Sequence, residues 1–86
     1  MSNWVHLEIT INKDSKVSVK KVVQSVWSCA STSKGDCPVG KRDTFFIGNP
    51  DCGISMLEDI KTILDKIKQY DNKANPCIYI ERCVVY

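Results

Sequence analysis

The stretch that most constrains this 86-residue chain runs from Ser55 to Tyr70. Met56, Leu57, Ile60, Ile63, Leu64 and Ile67 recur at offsets of three and four, which gathers them on one stripe of an α-helix. The remaining positions, Glu58, Asp59, Lys61, Thr62, Asp65, Lys66, Lys68 and Gln69, are polar, and Lys61 and Asp65 stand one helical turn apart. Ser55 and Glu58 have the spacing of a capping box, in which the serine hydroxyl and the glutamate carboxylate each satisfy an otherwise orphaned amide of the first turn. Asp59 near the start and Lys66 and Lys68 near the end suit the helix dipole. The pattern stops in Asp71, Asn72, Lys73, Ala74, Asn75 and Pro76, turn formers closed by a proline that cannot extend a helix. A helix over 56–70 is therefore predicted. At that length it is marginal in water by itself, so its apolar stripe must be buried against something else in the chain.

The flanking segments supply a sheet. Residues 4–11 alternate, with Val5, Leu7, Ile9 and Ile11 on one side and Trp4, His6, Glu8 and Thr10 on the other, the mark of a strand buried on one face. A turn follows at 12–15, where Asp14 or Ser15 is placed to cap the next element. Val19, Val22, Val23, Val26 and Trp27 then lie three or four apart and predict a second helix over 16–27. β-Branched valines weaken helices, which leaves open a shorter helix from about Val17 to Gln24, with 25–30 in a brief strand. Residues 28–42 read as irregular or partly paired; a structureless loop of that length is unusual, so part of it is expected to pair as a hairpin with the segment that follows. A strand over 43–48 centres on Thr44, Phe45, Phe46 and Ile47, and a last strand covers 77–85. In that last strand Ile78, Ile80 and Val84 share the inward phase, while Cys77, Tyr79, Glu81 and Cys83 share the outward one. Arg82 falls on the inward phase and must lie at the edge of the core or beyond a bulge.

Taken together, the order predicts a single α+β domain over 1–86: a small antiparallel sheet with two helices packed on one face, in split βαβ (ferredoxin-like) order. A chain 43% hydrophobic and 26% charged is not of the disordered type. No apolar run approaches the roughly 18 residues of a membrane span, and no basic segment precedes an apolar one near Met1, so a cytoplasmic protein without a membrane partner is expected.

Function has to be sought on the side of the sheet that the helices leave open. Alternation puts Trp4, His6 and Tyr79 there, joined by Phe46 when Phe45 and Ile47 point inward, or by Phe45 in the opposite phase. Aromatic side chains displayed on a solvated sheet are hot-spot material, so Trp4, His6, Phe46 and Tyr79 are the candidate contacts for a protein partner or a second copy of the chain. The expected role is a regulator or inhibitor that binds or masks another protein. The long 28–43 segment is a rival recognition element. Binding of single-stranded nucleic acid is the first alternative, with bases stacked on the aromatics and Lys13, Lys16, Lys20, Lys34, Lys41 and Arg42 beside the phosphates. Against it stand Glu8 and Glu81 on the same face, a net charge of only +2 and a dearth of arginine.

A small cysteine-containing enzyme is the second alternative. The only histidine, His6, has no cysteine or serine that the sequence forces beside it, and no paired-carboxylate or nucleotide motif is present, so no catalytic residue, metal or cofactor is assigned. Cys29, Cys37, Cys52, Cys77 and Cys83 lack zinc-site spacing and are odd in number; reduced, partly buried thiols are the expectation. Residues 35–41 mimic the glycine and lysine spacing of a phosphate-binding loop. Arg42 then stands where a magnesium-binding hydroxyl is needed, and a strand follows where a helix is needed, so the match carries no function.

Overall fold

The computed structural model describes residues 2–35, 42–50 and 53–85, with side chains described throughout except at 2–4 and 82–85. Six elements follow in order: β1 (Ser2–Asn12), α1 (Val19–Val26), β2 (Ser31–Lys34), β3 (Arg42–Gly48), α2 (Met56–Tyr70) and β4 (Cys77–Val85). The strands form one sheet in the order β2-β3-β1-β4, antiparallel at every pairing. β1 lies inside it. Leu7 stands opposite Ile47 on one flank and Ile80 on the other, and Ile9 stands opposite Phe45 and Ile78. Residues directly opposite share a face, so these apolar positions line a single side. Leu7, Ile9 and Ile11 are there enclosed with Val19, Val22 and Val23 of α1 and Met56, Ile60, Ile63 and Ile67 of α2 in one core. Both helices therefore cover the same face.

The helix boundaries show where local chemistry departs from the apolar pattern. α1 starts at Val19, later than the expected 16, because the cap is Ser18 rather than Asp14 or Ser15. Ser18 has the extended backbone a cap requires, and its Oγ accepts from Lys21 N at 3.4 Å. Ser15 instead accepts from Val17 N at 3.3 Å and so tightens the preceding turn. At the other end Trp27 N–H still donates to Val23 O at 2.7 Å, and a turn then closes from Ala30 N to Trp27 O at 3.0 Å. The alternative strand over 25–30 does not form; pairing begins only at Ser31. The buried valines explain why the helix holds despite their propensity, since Val19, Val22 and Val23 are each enclosed in the core.

α2 occupies the span its periodicity indicates, but the capping box is absent. Ser55 has φ −86° and ψ 11° and makes no side-chain cap hydrogen bond. That backbone is not the extended one that aims a cap hydroxyl at the first turn. Leu57 also departs from expectation at 72% exposed. Met56, Ile60, Ile63 and Ile67 form a narrow stripe, and at about 100° per residue Leu57 falls outside it.

β2 falls inside the segment expected to be irregular or partly paired, where Thr32 stands opposite Ile47 and Ser33 opposite Phe46. No bulge interrupts β4: its register on β1 runs unbroken from Thr10↔Cys77 to Ser2↔Val85, and Val5↔Arg82 keeps position 82 in the inward phase. The turn ahead of β4 is tied to the end of β1 by Asn12 N to Ala74 O at 2.8 Å and Asn12 Nδ2 to Lys73 O at 2.7 Å. Its Asn75 adopts φ 47°, a left-handed conformation that asparagine tolerates better than most residues.

A candidate docking face on the open side of the sheet

The register that buries Leu7 and Ile9 turns the alternate positions outward. Glu8 stands opposite Phe46 on β3 and Tyr79 on β4, and His6 stands opposite Glu81. Three rings from three strands consequently converge. The His6 imidazole lies 5.6 Å from Phe46 and 6.5 Å from Tyr79 by ring centroids, tilted to the first and edge-on to the second, the geometries that aromatic quadrupoles favour. His6 Nε2 also approaches Glu8 Oε2 at 3.3 Å, which fixes the imidazole over the sheet. Tyr79 is 53% exposed, and His6 and Phe46 are half-buried. Trp4 is paired with Cys83 and shares the alternation phase of His6; its side chain lies outside the described residues, as does that of Cys83.

One contributor was not legible in the sequence. Gly35, just past β2, donates its amide to Thr44 O at 2.8 Å, and a methyl group there would lie 2.7 Å from Cε2 of Phe46. The absent side chain thus gives the Phe46 ring its resting place. A glycine in a turn-rich stretch signals only a turn, so nothing in its surroundings announced a steric role.

The basic residues of the nucleic-acid alternative lie elsewhere or are engaged. Lys13 follows β1 in a turn, Lys16 precedes α1 and Lys20 belongs to it, which places Lys20 in the helix layer. Lys34 is at the outer strand and sits 3.8 Å from Asp43. Lys41 lies outside the described residues. Arg42 is committed to structure: its guanidinium spans β1, donating from Nε and Nη2 to Thr10 Oγ1, from Nη1 to Asn12 Oδ1 at 2.9 Å, and from Nη2 to Thr10 O at 2.9 Å and to Asn75 O. It joins the start of β3 to the turn that launches β4.

Two further features lie away from the aromatic cluster or beside it. A groove of about 710 Å³ opens between the start of α1 and the end of α2, lined by Lys16, Lys21 and Lys66 but also by Asp14 and Asp71, so its charges largely cancel. Cys29 and Cys77 are unpaired and exposed, which corrects the expectation that such thiols would be partly buried. Both flank turns rather than facing the core. Cys37 and Cys52 lie outside the described residues. Among the described residues, no three histidine, cysteine or acidic side chains are grouped closely enough to hold a metal ion, and no helix is long and apolar enough to cross a membrane. The chain matches no known family model and no curated protein.

Proposed function

We propose that this chain is a small binding module, a cytoplasmic regulator or inhibitor rather than a catalyst, which docks a protein partner on the open face of its sheet. The observation that carries the reading is the convergence of His6, Phe46 and Tyr79 from three strands on the side opposite the helices, with Tyr79 half exposed. Trp4 holds the same alternation phase as His6 on β1 and is the further contact position of this reading. A scaffold held by one core on its far side presents these rings with little conformational entropy left to lose, the condition under which aromatic contacts become hot spots. Glu8 and Glu81 border the rings, so the partner that fits best offers an apolar centre rimmed by basic side chains. The same carboxylates oppose a phosphate backbone, which is why a protein is preferred over nucleic acid. The strand order β4-β1-β3-β2, with a helix after β1 and another after β3, supports a ferredoxin-like reading of the scaffold.

Capture from the native host with wild-type protein, followed by titration of the purified partner against Phe46→Ala/Tyr79→Ala and Gly35→Ala proteins, tests this. The double substitution should weaken binding at least tenfold, about 1.4 kcal/mol, and Gly35→Ala should weaken it less by displacing Phe46. Undiminished binding by the double variant, or loss only when residues 28–43 are changed, overturns the sheet-face reading. Tight, salt-dependent binding of single-stranded oligonucleotides would establish the alternative in its place.

A further inference from the structure

We infer that β4 is a homodimerisation edge, along which two copies of the chain join antiparallel into one eight-stranded sheet. The proposal uses the margin of the sheet rather than its open face and does not rest on the partner reading above. It begins from an asymmetry between the two outer strands. β2 is four residues long, Ser-Thr-Ser-Lys, with the shortness and the lysine that keep a strand edge from recruiting other chains. β4 is nine residues long, contains no lysine or proline, and lies in unbroken register on β1, so its outer row of amides and carbonyls is presented without a bulge.

The helices also leave part of the inward side of β4 uncovered. Ile80 shares the phase of the buried Leu7 yet is 41% exposed, leaving an apolar shoulder beside an edge that no other described strand pairs. A second copy is the occupant that the strand's own sequence selects. In a two-fold antiparallel pairing the axis stands perpendicular to the sheet and passes beside one residue, which then faces itself. An axis at Glu81 or at Arg82 sets two like charges opposite each other, which destabilises a ladder. An axis at Ile80 avoids this and gives the longest overlap that does so, over residues 77–83 of each strand. It sets Ile80 against the partner's Ile80, closing the shoulder on both chains, and Tyr79 against the partner's Glu81. Sidedness is preserved, so the two aromatic clusters end on one continuous face.

Sedimentation equilibrium of the full chain over a concentration series, together with hydrogen exchange of the β4 amides, tests the assignment. The wild type should approach twice the 9.7 kDa of one chain, and protection of alternate β4 amides should rise with concentration. Ile80→Lys, which installs the usual edge-protecting residue at an already exposed site, should shift the dimer constant at least tenfold toward monomer. His6→Ala/Phe46→Ala should leave the dimer intact while weakening any partner, so the two readings fail separately. A wild type that stays at one chain's mass, or a dimer whose β4 amides gain no protection, overturns the proposal; the exchange measurement decides the matter even where Ile80→Lys does not fold.

Discussion

Arg42 shows how much a single side chain can be asked to hold. Its position in the sequence, after a lysine and a glycine, suggested a surface cation available to a polyanion. The structure spends it on neutral oxygens of Thr10, Asn12 and Asn75, fastening three separate segments with one planar group. Lysine has no such fork and cannot reproduce the arrangement. Arg42→Gln is expected to lower stability by about 2 kcal/mol, the scale of hydrogen bonds made by a charged donor, as read by urea unfolding. A loss below about 0.5 kcal/mol would show the guanidinium to be ornamental. Gly35 makes the complementary point, since there the informative feature is the atom that is missing.

At the scale of elements, periodicity was the dependable guide and termini were not. The α2 span follows from its spacing because four residues enclosed against the sheet hold it regardless of the cap. The Ser55 and Glu58 pattern nevertheless produced no capping box, because cap chemistry depends on one residue's backbone angles, which tertiary entry geometry sets and sequence spacing does not. The same limit moved the start of α1 from 16 to 19. Loop length pointed to a hairpin with β3, but the bounds of β2 were hidden because Ser-Thr-Ser-Lys carries no apolar alternation. No pattern disclosed the link between the helices, where Trp27 Nε1 donates to Asp59 Oδ2 at 3.0 Å with the indole buried. Asp59→Ala should cost about 1–3 kcal/mol by stranding that donor, whereas Trp27→Phe/Asp59→Ala should show a coupling term between the two sites. Additive losses in the double-mutant cycle would mean that the bond contributes nothing.

For the molecule as a whole, alternation along β1 and β4 indicated which side residues take, whereas β3 left two phases open until its register set Phe45 and Ile47 opposite Ile9 and Leu7 and Phe46 outward. Sidedness is robust because a one-residue slip would expose Leu7, Ile9 and Ile11 together. Strand neighbours were less legible, since they depend on contacts distant in sequence. β4, the last element, completes one flank of β1, the first. A chain cut after Asn75 should therefore fail to give a cooperative thermal transition, and a separately supplied peptide of residues 76–86 should restore one. Cooperative melting of the shortened chain alone would contradict the central place given to β1.

That topology has a corollary for biosynthesis. β4 is synthesised after both helices, so one hydrogen-bonding margin of β1 lacks its partner until β4 has been made and has left the exit tunnel. A nascent chain of this kind is a natural client for holding factors, and slowing translation over the last strand should lengthen its exposure to them.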